Sequence, residues 1–391
     1  MLPDLDKDKE GLEKEQQRFM RNILTAALMC GFAVANAAGQ AGEAAGAVFV
    51  ATNDVNHNAV IMYSRSASGT LTYVGSFETG GRGQGGINDP LQSQSSLLLS
   101  SDHKYLLAVN AGSSTLSVFQ VFYNGLRLIE TTPTEGGNPV SIAMHDDLVY
   151  VANVGGTYHT AGFHMNPFGE LEFIQNSKQH LSGLDTEPGT IAFSPDGSKL
   201  IVTERQTNNI DVFSVASDGS LTNGVVTAAQ GVEPFGAAFA PSGALLVSEA
   251  GSGAVSSYSV NADNSLTAIT SKSPSSGVAT CWVIPGGEYA YASSAITSSI
   301  SGYKLGSAGD LSPLGIIVKT PGTQPAIFPP IGVTAFPMDV EITPDNKFLY
   351  VVYSALGQVV GYQAASDGTL TQVTSVSPYA AQIGVEGLAV Y

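Results

Sequence analysis

A short pattern of strands and turns recurs along the chain and constrains the fold more than any other feature. In its clearest copy, residues 188–215, three short apolar strands are separated by turns at Ser194-Pro195-Asp196-Gly197 and at Asn208-Asn209. Pro presets a negative φ and Gly accepts a positive one, so residues 194–197 are predicted to form a tight turn. The second strand of the seven copies ends at Asn53, Asn110, Asn153, Glu204, Glu249, Ser293 and Tyr353.

These strand ends are 57, 43, 51, 45, 44 and 60 residues apart. A period of about 50 residues with about four short strands in each copy is typical of a β-propeller. The sequence therefore predicts an all-β, seven-bladed β-propeller over residues 46–391. A β-sandwich is a weaker alternative, because it would not give seven copies in phase.

The two ends of the repeat region are incomplete in complementary ways. The first copy begins with a second strand, residues 48–52, and the chain finishes with a lone first strand, residues 387–391. We expect these two segments to pair in one blade and so to close the ring, which removes the exposed edges of an open sheet.

The segment before the repeats has the pattern of an export signal. Met20-Arg21 precedes an apolar run, which ends at Ala35-Asn36-Ala37. A basic start, an apolar centre and an A-x-A site predict a signal peptide over 20–37. Residues 1–19 are then a start-site artefact or an extension, and residues 38–45 are a short linker. The apolar run is shorter than the ~20 residues of a membrane span, so we expect a periplasmic or secreted protein with no transmembrane segment in the mature chain.

The charge of the chain limits its partners. After residue 37 there are 11 Lys and Arg residues against 27 Asp and Glu residues, a net charge of −16. Such an acidic chain is not expected to bind nucleic acid or anionic lipid surfaces. Cys281 is the only cysteine after residue 37, so the mature chain cannot form an intrachain disulfide. We expect a monomer whose partner is a small-molecule ligand.

Polar residues at strand ends indicate where a site could lie. In a propeller the first strand of each blade lies nearest the axis, and the second strand runs back beside it. The ends of second strands and the starts of first strands therefore share one face. The predicted substrate-binding residues from these two sets are Asn53, Asn110, Asn153, Glu249, Gln94 and Glu386. The alternative is that such residues cap turns and bond loop backbone.

Four further features belong to the same predicted face. Glu204-Arg205 follows an apolar strand, and a charged pair there is costly unless it meets a partner or a ligand. His159 lies in the turn after Asn153, and Arg82 lies in the glycine-rich stretch 80–86. We predict that His159 and Arg82 bind substrate, although each could be a solvated loop residue. The Pro-rich stretch 321–337 is a candidate lid.

No pattern of metal-binding histidines occurs in the sequence. Neither H-x-H nor HExxH is present, so a histidine-bound transition metal is not expected. We expect no cofactor. A hard divalent cation such as calcium, held by Asn and Glu oxygens, stays open as an alternative.

Several motifs together resemble the lactonase family of seven-bladed propellers, which includes bacterial 6-phosphogluconolactonase and the fungal carboxy-muconate cyclising enzyme. They are the SPDG turn at 194–197, strand ends such as VYVAN at 149–153, outer strands such as GSL at 219–221, and the period. The resemblance covers about 46–391. It implies hydrolysis or cycloisomerisation of a lactone or a cyclisable carboxylate at the channel mouth.

The resemblance also suggests site residues. Glu204 and Arg205 match the acidic strand end of the family's fourth-blade motif, which implies that they handle the lactone. One departure is that the family's enzymes typically carry Pro-His at the start of a first strand. This chain has Pro188-Gly189 and Pro234-Phe235 instead, which puts an acid–base histidine in doubt.

Two functions of different classes follow. In the first, the protein acts on a lactone: Glu204 is the general base, Arg205 stabilises a carboxylate or a developing oxyanion, and the Asn residues orient ring oxygens. Phosphorylated sugars fit poorly, because only four arginines follow residue 37. In the second, the propeller binds a ligand or a protein without catalysis, since the fold alone does not separate the two.

Overall fold

Seven four-stranded antiparallel sheets make up the described part of the chain. The structure is a computed structural model, and it describes residues 44–157, 159–183, 185–320, 335–380 and 384–391. Apart from one short 3₁₀ helix, η1 (Ala111–Ser113), the regular elements of these residues are strands. The predicted seven-bladed, all-β propeller is confirmed.

Each sheet forms one blade. Blade 1 contains β1 (Gly46–Ala51), β2 (Ala59–Arg65), β3 (Leu71–Glu78) and β28 (Leu388–Val390). Blades 2 and 3 contain β4 (Leu97–Leu99), β5 (Tyr105–Asn110), β6 (Thr115–Phe122) and β7 (Gly125–Pro133), then β8 (Gly137–His145), β9 (Leu148–Gly155), β10 (Thr160–Met165) and β11 (Leu171–Phe173). Blades 4 and 5 contain β12 (Pro188–Phe193), β13 (Lys199–Glu204), β14 (Asn209–Val215) and β15 (Leu221–Ala228), then β16 (Pro234–Phe239), β17 (Leu245–Glu249), β18 (Ala254–Val260) and β19 (Leu266–Pro274). Blades 6 and 7 contain β20 (Thr280–Gly286), β21 (Tyr289–Ser294), β22 (Ser299–Leu305) and β23 (Leu311–Lys319), then β24 (Pro337–Ile342), β25 (Phe348–Tyr353), β26 (Gln358–Ala364) and β27 (Leu370–Val376).

The first strands of the blades form the inner ring. They contact one another in the order β4, β8, β12, β16, β20, β24, β28 and back to β4. Strand β28 pairs antiparallel with β1, with Val48 opposite Val390 and Val50 opposite Leu388. The last strand of the chain is therefore the innermost strand of the blade that contains the first.

Burial decreases from the axis outward. The second strand β5 is almost wholly buried, whereas the outer strand β3 has exposed residues along its length. Fully apolar second strands suit positions with neighbours on both faces, while an outer strand needs only one covered face. The hydrophobic core is therefore a set of layers between adjacent blades.

Tyrosines tie adjacent blades together at the face opposite the first-strand starts. The Tyr105 hydroxyl donates to the Pro167 carbonyl over 2.8 Å, and the Tyr350 hydroxyl donates to the Gly69 carbonyl over 2.7 Å. Each contact links the second strand of one blade to the hairpin turn of the next. The ring order is thereby fixed by polar contacts as well as by packing.

The SPDG turn has the predicted chemistry. Asp196 accepts hydrogen bonds from the Ser194 hydroxyl over 2.6 Å and from the Ser198 amide over 3.1 Å, and Gly197 has φ 69°. These bonds hold the pKa of Asp196 at about 2. Any residue with a Cβ atom would be strained in the backbone conformation of Gly197.

One strand end differs from the sequence alignment. In blade 6 Thr280 pairs with Ser294, as Pro188 pairs with Glu204 in blade 4. Ser294, not Ser293, is thus the equivalent strand end. The predicted signal peptide (20–37), the extension before it and most of the candidate lid (321–337) lie outside the described residues. No helix among the described residues is long and apolar enough to cross a bilayer.

Candidate functional site

Residues 88–96, which we call the axial segment, lie along the inner ring before β4. The Ser93 hydroxyl donates to the Val140 carbonyl of blade 3 over 2.7 Å, and the Trp282 indole of blade 6 donates to the Ser93 carbonyl over 2.8 Å. The Gln94 amide donates to the Gly189 carbonyl of blade 4 over 2.9 Å. One short segment thus contacts blades on several sides of the axis.

Gln94 is a structural crosslink at the axis. Its side-chain nitrogen donates to the carbonyls of Val283 (3.0 Å) and Ala237 (3.4 Å), and its side-chain oxygen accepts the Val283 amide over 3.0 Å. A Cβ on Gly236 would lie 2.2 Å from that oxygen, so only glycine leaves room for this side chain. The polar atoms of Gln94 are therefore occupied by backbone, which favours a structural role over the predicted substrate contact.

Arg205 lies between the axial segment and the starts of β12 and β16. Its side chain is only 5% exposed. The guanidinium donates to the Gln92 side-chain oxygen over 2.6 Å and to a Glu187 carboxylate oxygen over 2.8 Å. It lies 5.6 Å from the ring centroid of Phe235 and 3.8 Å from a Glu233 oxygen. We call Gln92, Glu187, Arg205 and Glu233 the Arg205 cluster.

One N–H donor of the Arg205 guanidinium has no acceptor within the described ranges. Its Nε is buried and has no hydrogen-bond partner among the described residues. A buried guanidinium donor without an acceptor costs free energy unless a ligand or a water satisfies it. The Nε–H therefore suits an acceptor oxygen that the protein itself does not supply.

Glu187 and Glu233 occupy equivalent positions in adjacent blades, immediately before Pro188 and Pro234. Both have positive φ, 47° and 59°, which is unfavourable for a residue with a side chain. Their side chains remain 38% and 42% exposed. The strained backbone keeps two carboxylates beside one guanidinium, at the end of the inner ring where the first strands begin.

A second acidic group lies deeper on the axis. Glu386 accepts the amides of Leu91 (2.9 Å) and Ser93 (3.3 Å) through its two oxygens, and Asp339 accepts the Gly387 amide over 2.6 Å. Burial raises the pKa of Asp339 to about 7, and burial with the nearby Asp89 and Asp339 charges raises that of Glu386 well above its usual range. Asp339 is therefore partly protonated near neutral pH, and burial favours the protonated form of Glu386 as well.

Asp89 joins the two acidic groups. Its Oδ1 accepts the Gln92 amide over 2.9 Å, and its side chain is hydrogen-bonded to Glu386. Burial raises its pKa to about 7, against the opposing effects of the Arg205 charge and the Glu386 contact. Since two adjoining carboxyls cannot both ionise easily, they share a proton. The pair can accept or donate a proton near neutral pH, beside a guanidinium.

Glu204 faces away from the Arg205 cluster. It is fully buried, and its carboxylate accepts the Ser182 amide over 2.6 Å and the hydroxyls of Ser182 and Thr207. Burial raises its pKa, but hydrogen bonds from Asp211, Ser182 and Thr207 outweigh burial and leave the pKa lowered. Burial and Glu204 raise the pKa of Asp211 to about 9, so Asp211 is the protonated partner.

No ion pair joins Glu204 to Arg205 among the described residues, although they are adjacent in sequence. A carboxylate that is both inaccessible and saturated with donors does not reach a ligand without rearrangement. The catalytic role of Glu204 therefore stays a prediction, and its contacts favour a structural role in joining blade 4 to the loop before it.

The predicted Asn ligands contact neighbouring loops. Asn53 donates to the Gly384 carbonyl over 3.1 Å and accepts the Gln84 amide over 2.8 Å. Asn110 accepts the Thr79 hydroxyl over 2.6 Å, among other side-chain contacts. The Nδ2 of Asn153 is 3.5 Å from the Thr134 carbonyl. The alternative that these residues bond loop backbone and loop side chains fits this geometry better than a ligand ring.

The three remaining predicted ligands also lie among loops. His159 is buried, with its Nδ1 3.5 Å from the Leu181 amide. Glu249 accepts the Gly231 amide over 2.8 Å, and burial raises its pKa. Arg82 is exposed, and its backbone contacts Ser113 of blade 2. None of these contacts joins the Arg205 cluster.

The positions at which the family's enzymes carry histidine are apolar in this chain. Gly189 and Phe235 follow the first residues of β12 and β16, at bulges in the pairing with the second strands. Phe235 is buried and packs edge-on against Trp282, with the ring centroids 5.1 Å apart. The ionisable side chains that the structure places against Arg205 are the carboxylates of Glu187 and Glu233.

No set of three or more His, Cys, Asp or Glu side chains in the described ranges has a geometry that could hold a metal ion. The residues that sequence reasoning missed are Asp89, Glu187 and Glu233. A signal for the last two exists, because the pair Glu-Pro precedes two successive first strands, at 187–188 and 233–234. Asp89 lies in a connection between blades, outside the repeated strand-and-turn pattern.

A family model described as "Lactonase, 7-bladed beta-propeller" matches residues 51–160 and 157–284, which is more than half of the chain. The chain therefore belongs to the lactonase family of seven-bladed β-propellers, as its motifs predict. A search of curated proteins found no match.

Solved structures support the same fold. A putative 6-phosphogluconolactonase from Bacteroides fragilis aligns with a TM-score of 0.70 at 18% identity, over 90% of this chain and 99% of that one. The periplasmic gluconolactonase PpgL of Pseudomonas aeruginosa aligns with a TM-score of 0.64 at 15% identity, over 88% and 98% of the two chains. At such low identity these similarities show the fold alone.

Proposed function

We propose that this protein hydrolyses a lactone at the Arg205 cluster, at the mouth of the propeller channel. The observation that carries the proposal is a buried guanidinium with an unused Nε–H next to a carboxyl pair that can exchange a proton near neutral pH. Lactone hydrolysis needs both parts: a donor for the carbonyl oxygen and a base for water. Family membership supports the same class of substrate.

The proposed reaction assigns a role to each group. Asp89, in the pair with Glu386, takes a proton from water as the water oxygen bonds to the lactone carbonyl carbon. The carbonyl oxygen becomes an oxyanion that accepts from Arg205 Nε. Collapse of this intermediate breaks the ring C–O bond, and the carboxyl pair returns the proton to the leaving alkoxide. Water and lactone thus give one hydroxy acid.

This assignment differs from the sequence-based one in the base. Glu204 has a lowered pKa and saturated oxygens, so it is a weaker base and is less accessible than Asp89. Arg205 keeps the proposed role of stabilising negative charge. The half-exposed Glu187 holds the guanidinium in place over 2.8 Å, which makes it a positioning residue.

We also propose that the protein is exported. The support is the signal-like sequence at 20–37 and the acidic chain with a single cysteine after it. One structurally similar protein, from Pseudomonas aeruginosa, is described as a periplasmic gluconolactonase. An exported enzyme would meet free lactones more often than phosphorylated intermediates of the cytosol.

The test is hydrolysis of a panel of lactones. The rate is measured as the amount of base that must be added to hold the pH constant while the hydroxy acid forms. Asp89→Asn keeps the acceptor for the Gln92 amide and removes the base, and it should lower kcat about 100-fold or more. Arg205→Lys should lower kcat by about 10- to 100-fold, because a point charge does not reproduce the planar donor. Matched controls are Asp146→Asn and Arg127→Lys, two exposed sites remote from the axis.

The non-catalytic propeller is retained as a second function because the family's histidine positions are occupied by Gly189 and Phe235. Under that alternative no lactone in the panel is hydrolysed above the rate of the Asp89→Asn variant. If parent and variant hydrolyse a lactone equally, the assignment of Asp89 is refuted even though the protein is an enzyme.

A further inference from the structure

The charge at the Arg205 cluster is unbalanced. Arg205 is the one Lys or Arg that the structure pairs with Glu187 and Glu233, and the two carboxylates carry twice its charge. Asp89 adds further negative charge whenever the carboxyl pair releases its proton, since burial raises its pKa only to about 7. The cluster is therefore net negative at neutral pH in spite of its buried cation.

The donors of Arg205 are mostly committed. One terminal nitrogen donates to Glu187 over 2.8 Å and the other to Gln92 over 2.6 Å. A phosphate or carboxylate of a ligand would have to displace these partners and approach two carboxylates of the same sign. The remaining Nε–H suits a neutral carbonyl oxygen better than a bidentate anion.

Of the two carboxylates, Glu233 is the one whose negative charge Arg205 neutralises less completely. Its oxygen is 3.8 Å from Arg205, beyond a good hydrogen bond, while Glu187 holds the closer position. Its side chain is 42% exposed, so a ligand can reach it. A cationic group that approached Glu233 would form the ion pair which the protein leaves incomplete.

Exposed aliphatic residues lie close in sequence to these carboxylates or at equivalent positions of the next blade. Val232, next to Glu233, is 55% exposed, and Val278, at the equivalent position of the next blade, is 53% exposed. Ile87, two residues before Asp89, is 66% exposed. Apolar surface next to a carboxylate suits an alkylammonium group, whose carbon atoms pack while its charge is neutralised.

From this arrangement we infer that the Arg205 cluster selects lactones that carry a positively charged ammonium group over lactones that carry a carboxylate or a phosphate. The inference rests on the proposed function and deepens it by naming the substrate class. In this arrangement Arg205 Nε faces the ester carbonyl, Asp89 faces the water, and Glu233 faces the ammonium group.

The test uses three γ-butyrolactones that differ in one substituent: a trimethylammonium-methyl group, its neutral neopentyl isostere, and a carboxymethyl group. A quaternary ammonium keeps its charge at every pH, so its titration does not confuse the comparison. We expect kcat/KM to follow the order cationic, neutral, anionic, with the cationic lactone favoured over its isostere about five- to tenfold at low ionic strength. The preference should shrink in 0.5 M salt by screening, on the order of several-fold.

Variants locate the preference. Glu233→Gln should remove most of this preference by raising KM for the cationic lactone, whereas the exposed outer-strand change Glu172→Gln should leave the preference unchanged. Glu187→Gln removes one negative charge beside Arg205 and weakens the hydrogen bond to its guanidinium, so it should improve binding of the carboxymethyl lactone. If Glu233→Gln fails to fold, Glu233→Ala offers the same readout with a smaller side chain.

Binding measured by calorimetry on Asp89→Asn separates this inference from the proposed function. Tighter binding of the cationic lactone without hydrolysis by the parent would refute the function and support the charge preference. Hydrolysis of all three lactones with equal kcat/KM would support the function and overturn the preference. Absence of both binding and hydrolysis would overturn both.

Discussion

Replacing Glu204 by Gln distinguishes most directly between a catalytic and a structural carboxylate. If Glu204 were the general base, Glu204→Gln would abolish turnover and leave the melting temperature nearly unchanged. Its surroundings lead to the opposite expectation. Its oxygens accept the Ser182 amide and the hydroxyls of Ser182 and Thr207, and Asp211 donates a shared proton.

The size of the loss follows from these contacts. A hydrogen bond to a charged acceptor contributes about 1.5–3 kcal/mol, whereas a neutral one contributes about 0.5–1.5 kcal/mol. Gln keeps one acceptor oxygen, and the hydroxyls of Ser182 and Thr207 can rotate to accept from its amide. Two or three bonds thus weaken by about 1 kcal/mol each, so we expect a loss of roughly 2–3 kcal/mol in the free energy of unfolding.

The assay is thermal unfolding at pH 7 together with lactone hydrolysis. With an unfolding entropy of about 2.1 cal/mol/K per residue over the roughly 350 residues of the propeller, the melting temperature should fall by about 3–4 °C. Turnover below the melting range should change less than about threefold. An unchanged melting temperature with turnover lowered a hundredfold would refute the structural assignment and restore Glu204 as the base.

Asp211→Asn is the matched control, because Asn still donates to Glu204 but carries no titrating proton. In the parent, the pKa of Asp211 is about 9 when folded and 3.8 when unfolded. The folded state therefore binds more protons between these values, and parental stability falls as the pH rises through this window. The stability of Asp211→Asn relative to the parent should accordingly increase from pH 5 to pH 9. A difference that does not vary with pH would contradict the shared proton.

Four other expectations follow, three from the geometry and one from the sequence. Activity of the parent should decline as the pH falls below about 7, because protonation of Asp89 removes the base; a kcat/KM profile that is flat from pH 5 to 8 would contradict this. Gln94→Ala leaves three buried backbone groups without partners and should cost about 3–5 kcal/mol in chemical denaturation. Deletion of 387–391 removes the strand paired with β1, and it should lower the melting temperature by far more than fraying of a chain end would. The mature protein should begin near Ala38, which N-terminal sequencing of exported material checks.

The fold was predictable because the signal is repeated. Most copies combine an apolar second strand, a turn with Asp or Gly, and a polar strand end, so several weak signals add to one strong conclusion. The register was less secure. In blade 6 two serines follow one another, and only the pairing of Thr280 with Ser294 shows which one is equivalent to Glu204.

The site was only partly predictable, because the residue type at a strand end does not determine the direction in which its side chain points. Asn53 lies two residues after β1 and Asn110 ends β5, one strand out from the axis, where neighbouring loops present amides and hydroxyls that need an acceptor. Asn satisfies such groups as readily as it would satisfy a ligand. Arg205 differs because it is one residue further on, where its long side chain extends toward the starts of the first strands.

Asp89 shows why the rest of the site could not be predicted from the sequence. The axial segment belongs to a connection between blades, which lies outside the repeated strand-and-turn pattern. Its conformation depends on Gly236 in blade 5, which makes room for Gln94, and on Glu386 in blade 1, which accepts the Leu91 amide. Those partners are 142 and 295 residues away from the residues they hold. A chemical group that is positioned by contacts across the ring becomes recognisable only when the ring is assembled, and the Asp89 carboxyl is such a group.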